Sequence, residues 1–325
     1  MLFKGLIDKM TMKIGNVQFD GNLILSPMAG FSNLPFRIMA RKYGAALVCT
    51  EMVHVQAYAN DAPPALQRAV TAEKEKPVCI QLFGTEPEHI APIAKELGEQ
   101  CDILGFNFGC PAWQIRKSGC GAALLDEPEK MIEIVKAIKK ASNTPLLVKM
   151  RAGNEKLADI KKLGKQLEDA GADGIIFHAR TAKQGYSGKA DWKLIRELKQ
   201  HIRIPVIANG DVINGKSAKQ CLDETNADGI AIGRASLGDP YVFRRISEYL
   251  KNGKEIPELS AKEKIKLFGE YAVLAEQCKI PFQDIINQAV YFTKGIQGAA
   301  KLRQEIVKAK TISDLIKTMD NFKIQ

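Results

Sequence analysis

Cys110 stands between Gly109 and Pro111 in GFNFGCPAWQIRKSGCGAALL (105–125), a long loop that also carries Arg116, Lys117 and Gly119. A thiol just past a short apolar run can act as a general acid, although a lone cysteine is more often a small buried hydrophobe and only the surrounding pattern reverses that. Lys149 lies near the end of the run PLLVKM (145–150), with Arg151 directly after that run. A cation there suits a ligand on which negative charge develops. Two glycine-bearing stretches, ANGDV (208–212) and IGRAS (232–236), expose backbone N–H groups, and Arg234 adds a charge-assisted donor. That combination points to a phosphorylated ligand. Gln81 and Asn107 supply amides that both donate and accept, and His178 and Arg180 close a further run.

The elements that must position these residues are legible as eight short apolar, β-branched runs, each followed by an amphipathic stretch. They are LILSPM (23–28), ALVCTE (46–51), VCIQLF (78–83), DILGFN (102–107), PLLVKM (145–150), DGIIFH (173–178), IPVIAN (204–209) and DGIAIG (228–233). Repeated βα units of this number and length predict a (β/α)8 TIM barrel, typically about 250 residues long. An open doubly wound sheet is disfavoured, because no GxGxxG turn follows the first run. In a barrel the working residues gather at the carboxyl ends of the strands. Those ends deliver Met28, Glu51, Gln81, Asn107, Lys149 with Arg151, His178 with Arg180, Asn209 and Gly233 with Arg234. The phosphate loops leave the seventh and eighth strands and Lys149 the fifth, so Lys149 faces them across the mouth. There it would meet the nitrogen 1 and oxygen 2 edge of a flavin. The segment KIGNVQFDGN (13–22) reads as a hairpin plugging the barrel floor.

Beyond Pro257 the spacing of apolar residues turns helical, in 261–278, 283–296 and 299–309. The chain therefore divides into a barrel over 1–250, a linker rich in Gly, Pro and charge over 251–260, and a small all-helical bundle over 261–325. The formal net charge is +10, and residues 241–325 hold 15 Lys and Arg against 10 Asp and Glu. A quarter of the chain thus carries half of the excess, which favours a polyanionic partner meeting the tail. Seven cysteines without a CxxC pair or a zinc-type Cys/His cluster predict free thiols and no metal. The opening MLFKGLIDKMTM, with Lys4, Asp8 and Lys9, reads as neither signal peptide nor membrane span, so a cytoplasmic protein is expected.

Taken together the motifs resemble the tRNA-dihydrouridine synthase family over essentially the whole chain. LSPMAGFSNLPFR (25–37), TEMV (50–53), QLFG (81–84), NFGCP (107–111), GAALL (121–125), VKMRAG (148–153), HARTAKQGYSGKADW (178–192), ANGDV and DGIAIGRASLGDPYVF (228–243) follow in order. YFTKGIQGAAKLR (291–303) resembles the family's helical domain. The resemblance implies an oxidoreductase that reduces the 5,6 double bond of uridines in tRNA, using FMN, with NADPH as reductant. It implies that Pro27 and Met28 pack near the flavin, that Gln81, Lys149 and His178 contact FMN, and that Asn209, Gly210, Asp211, Gly233 and Arg234 hold its phosphate. Cys110 would be the proton donor, and Asn107, Arg151, His178 and Tyr186 would line the uracil pocket. The basic tail is expected to meet tRNA phosphates through Lys294, Lys301, Arg303, Lys308 and Lys310, in a protein acting as a monomer away from membranes.

Some positions depart from the family pattern. Gly105 replaces an acidic residue often found two places before Asn107, so support for that asparagine must come from elsewhere. Ser32-Asn33 replaces Thr-Asp. Trp113 stands where small or basic residues are usual, to stack on a base or to pack the loop. Cys120 is a second loop thiol that competes for the acid role. Rival readings share parts of this set: an FMN enzyme acting on a free pyrimidine of the dihydroorotate type, a catalytically silent tRNA-binding protein, and a flavin-free barrel acting on sugar phosphates.

Overall fold

The computed structural model describes residues 11–322; the opening stretch with Lys4, Asp8 and Lys9 lies outside the described residues. An antiparallel hairpin, β1 (Thr11–Ile14) and β2 (Val17–Asp20), comes first. Eight parallel strands follow: β3 (Leu23–Leu25), β4 (Leu47–His54), β5 (Val78–Phe83), β6 (Ile103–Phe108), β7 (Leu146–Arg151), β8 (Gly174–His178), β9 (Val206–Asn209) and β10 (Gly229–Ile232). β10 pairs back onto β3, so the sheet closes into a barrel. Strands β5 and β6 are buried on both faces, because side chains fill the inside and helices cover the outside.

The connecting helices are α1 (Leu34–Lys42), α2 (Val55–Ala59), α3 (Pro63–Ala69), α4 (Pro87–Gly98), α5 (Trp113–Lys117), α6 (Pro128–Ala141), α7 (Ile160–Asp169), α8 (Trp192–His201), α9 (Gly215–Thr225) and α10 (Val242–Asn252). The hairpin's Met12, Ile14 and Phe19 pack onto the inward side chains Ile24, Leu47, Cys79, Ile103, Leu147, Ile176, Ile207 and Ala231. They seal the amino-terminal end of the barrel with apolar surface, and any ligand must enter from the opposite end.

Helix α10 runs to Asn252 and the exposed coil occupies 253–260. The tail then folds into α11 (Ala261–Gln277), α12 (Phe282–Phe292), α13 (Ala299–Ile306) and α14 (Ile312–Asp320), one helix more than the three expected. Ser260 and Glu263 form a capping box that starts α11, and Thr311 caps α14 by accepting the Asp314 N–H. The bundle is docked on the barrel. Asn33 Nδ2 donates to Tyr271 Oη at 2.8 Å, Gln288 Nε2 donates to the Phe31 carbonyl at 2.7 Å, and the apolar core runs unbroken into Phe268, Ile285 and Leu302. No described helix is long and apolar enough to cross a membrane.

Candidate active site

Strand side chains alternate, so each floor residue is followed two positions later by another inward one. Ile24, Cys79, Ile103, Leu147, Ile176, Ile207 and Ala231 thus hand over to Ser26, Gln81, Gly105, Lys149, His178, Asn209 and Gly233. The apolar plug is followed by a polar layer. Above it opens a cavity of about 890 Å³, roofed on one side by Tyr291 and Lys294 of the helical bundle. Every catalytic, cofactor and uracil residue expected from the sequence lies on its wall except Gln81, which sits just beneath. Of the five tail cations, only Lys294 reaches it; Lys301, Lys308 and Lys310 are exposed and Arg303 half-buried on the bundle surface. Glu51 also turns away, its carboxylate accepting the Gly30 N–H at 2.7 Å and facing Arg68 at 3.4 Å. Burial raises its pKa.

The cysteine loop is anchored from below. Asn107 Oδ1 accepts the N–H groups of Gly109 at 2.9 Å and Cys110 at 2.8 Å, while its Nδ2 donates to Gln81 Oε1 at 2.8 Å. Gln81 thereby supplies the support that Gly105 lacks. A Cβ at Gly105 would stand 2.8 Å from Cys79 Sγ and 3.3 Å from Gln81 Cβ, so a side chain there would have to push the Cys79 thiol aside and would crowd the glutamine. Further out, Arg116 of α5 donates to Asn154 at 2.9 Å and Glu155 at 2.8 Å, tying the loop to the segment after β7. Cys110 lies half-buried on the cavity wall, whereas Cys120 is 2% exposed and off it, with burial raising its pKa.

Arg151 is also a brace. Its Nε donates to the Gly109 carbonyl at 3.1 Å and its Nη1 to those of Thr181 and Gly185 at 2.9 Å, leaving Nη2 for a ligand. One guanidinium thus holds the neighbours of both Cys110 and Tyr186. The Tyr186 ring is 57% exposed and lies under the Arg234 guanidinium, 4.5 Å from ring centroid to carbon. Such a ring offers a stacking surface at the mouth.

Arg180, to which the sequence assigns no role, donates from Nη2 to both carboxylate oxygens of Asp211 at 2.8 Å and to the Gly188 carbonyl at 2.7 Å. The pair joins the β8 loop to the β9 loop. Asp211 also accepts the Ala190 N–H at 2.7 Å. Burial works to raise its pKa, but these donors hold it below the usual value. Its carboxylate is therefore committed to holding the two loops together. Gly210 beside it has φ +120°, and a Cβ there would meet Ala190 Cβ at 2.8 Å and His178 Cδ2 at 3.1 Å, so only glycine fits.

His178 is buried among Arg151, Lys149, Arg180 and Arg234; burial first, then these cations, push its pKa down to about 2. The ring is neutral. Arg180 Nη1 lies 3.4 Å from Nε2, and guanidinium only donates, so Nε2 accepts and the ring proton sits on Nδ1. Lys149, lowered to about 8 by burial and by Arg151, is an ammonium at neutral pH. With Arg151, Arg234 and Lys294 on the wall and Asp211 the one acid among the described lining residues, the cavity is cationic. It is built for anions.

These features fit FMN. The volume lies near the upper end of the roughly 300–1,000 Å³ usual for ligand sites, leaving space for a base beside a cofactor. Gly210, Gly233 and Arg234 can hold a phosphate, Pro27 and Met28 present apolar surface, and Lys149 offers a cation on the same wall.

Residues 24–324 match the family described as dihydrouridine synthase (Dus). A probable tRNA-dihydrouridine synthase of Rickettsia conorii is 38% identical over 300 residues, 90% of each chain. tRNA-dihydrouridine synthase B of Vibrio parahaemolyticus is 38% identical over 259 residues, 78% of this chain and 79% of that one. Among solved structures, the old yellow enzyme from Trypanosoma cruzi shares the fold with TM-score 0.56 at 12% identity, covering 81% of this chain and 96% of that one. With a match that spans residues 24–324 and relatives of this identity, the chain belongs to the dihydrouridine synthase family.

Proposed function

We propose that this protein reduces the 5,6 double bond of uridine in tRNA, with FMN bound in the cavity and NADPH as the reductant. The observation that carries this reading is that Cys110, Lys149 and the bundle's Lys294 share one cationic cavity. Pro27, Met28, Lys149, Gly210, Gly233 and Arg234 would hold the flavin, which when bound would supply a hydride for carbon 6 and be renewed by NADPH. The Cys110 thiol gives its proton to carbon 5 and recovers one from solvent, so the base gains two hydrogens. Negative charge on the uracil oxygen between the transfers is met by Arg151 Nη2 and by the neutral His178 through Nδ1–H. Asn107 holds the Cys110 backbone at a set height. Tyr186 packs against the extracted base, whose unstacking costs a few kcal/mol that contacts elsewhere offset. Lys294 at the rim, and Lys301, Arg303, Lys308 and Lys310 further out, supply such contacts through phosphates.

A substrate that touches both the cavity and the bundle is favoured over a free pyrimidine of the dihydroorotate type, which would give Tyr291 and Lys294 nothing to do at the mouth. The test is nucleoside mass analysis of unmodified tRNA incubated with the protein, FMN and NADPH. Dihydrouridine is expected with the parent and with Cys120→Ala, and absent with Cys110→Ala although its flavin is still reduced by NADPH. Product formed at the parent rate by Cys110→Ala would remove Cys110 from the acid role.

A further inference from the structure

Exposed large apolar side chains are concentrated on the loops around the cavity mouth. Trp113 follows β6, Leu157 β7, Tyr186 β8 and Ile213 β9, and Tyr291 comes from the bundle. Trp113 is the largest of them. It is 61% exposed, so it does not pack the loop. It opens α5, two residues after Pro111 on the cavity wall, and its placement is firm because Arg116 of the same turn is tied to Asn154 and Glu155. Lys117 Nζ lies 4.8 Å from the Trp113 ring centroid, is exposed, and has no acidic partner among the described residues.

An exposed indole beside an unpaired ammonium is what an unpaired nucleotide needs: a flat face for the base and a cation for the phosphate. We infer that Trp113 and Lys117 form a stacking platform for a nucleotide next to the uridine held in the cavity, and so bias which sequence contexts are modified. The inference rests on the proposed tRNA reduction and deepens it. Extraction of one base leaves its neighbour without a stacking partner on one side. An indole held at the rim replaces that partner.

The test compares holoenzyme parent, Trp113→Ala and Trp113→Phe with an unmodified tRNA transcript, taking an unchanged flavin spectrum and NADPH reduction rate as the sign of intact folding. Trp113→Ala should raise the tRNA KM about tenfold, the size of one base–aromatic stack, with kcat little moved; Trp113→Phe should stay within about threefold of the parent. The chain has two tryptophans, and Trp192 is held by its indole N–H on the Gly210 carbonyl. Emission of the parent should therefore fall on adding tRNA, and that fall should vanish in Trp113→Phe. Parent-like KM in Trp113→Ala, together with dihydrouridine formation, would overturn the platform while leaving the proposed reaction standing. A parent that neither binds nor modifies tRNA would remove the reaction and the platform together.

Discussion

The Asn107 side chain holds Cys110 by its backbone: Asn107 Oδ1 accepts the Cys110 N–H at 2.8 Å, and its Nδ2 donates to Gln81 Oε1 at 2.8 Å. The thiol's position is thus set by a buried amide pair rather than by the loop itself. Replacing Asn107 with alanine leaves the Cys110 N–H unpaired and lets the loop shift. Dihydrouridine formation should fall on the order of 100-fold, the effect of about 1 Å of misplacement. Reduction of the flavin by NADPH, which needs no proton from Cys110, should change far less, and stopped-flow half-reactions separate the two.

Lys149 is depressed to about 8 by burial and by Arg151. FMN affinity of the apoprotein should therefore be flat below pH 8 and weaken above it, by up to about tenfold per pH unit, as the ammonium loses its proton. Lys149→Met should bind more weakly at neutral pH and show no such step. The stability of the apoprotein moves the other way. Between about pH 8 and the ordinary lysine value of 10.5 the unfolded chain binds the proton that the fold releases, so this group's contribution to stability rises with pH across that window. Flavin titrations and denaturant unfolding at several pH values check both signs.

The Arg180 guanidinium is 1% exposed, and both of Asp211's oxygens lie 2.8 Å from it. Asp211→Ala strands a buried cation, and a loss of about 3–5 kcal/mol in unfolding free energy is expected. Arg180→Ala should cost a similar amount, and the double variant less than the sum, as a double-mutant cycle by urea unfolding will read. FMN binding should weaken in all three, because the Gly210-Asp211 turn is held by this pair.

Lys301 and Lys310 are exposed on the bundle and lie off the cavity. Replacing both with alanine should weaken tRNA binding and lower the slope of log affinity against log salt by roughly one for each phosphate no longer neutralised. Flavin binding and its reduction by NADPH should be untouched. A salt slope equal to the parent's would place the tRNA path elsewhere on the bundle.

Much of this protein is legible in its sequence. Eight β-branched runs at regular spacing leave a closed parallel barrel as the economical solution, and the observed strands match the runs to within a few residues, with VCIQLF over 78–83 matching at both ends. Helix α14, absent from the three helices expected of the tail, carries its own local signal: Thr311 followed by Asp314 supplies a cap, and apolar residues at 312, 315, 316 and 319 make a helical stripe. The alternation of inward side chains also places the polar layer, since Lys149, His178 and Asn209 follow floor residues by two. The remainder depends on distances between segments remote in sequence. That Gln81 supports Asn107 in place of an acid at 105, that Arg180 holds Asp211 31 residues away, and that Tyr291 reaches the barrel mouth are facts of strand register and helix docking. Residue type and local spacing determine which element forms and which way its side chains point. Only closure of the barrel and docking of the bundle decide which of those side chains meet, because each meeting is fixed by strand stagger or helix packing and not by the chain between them.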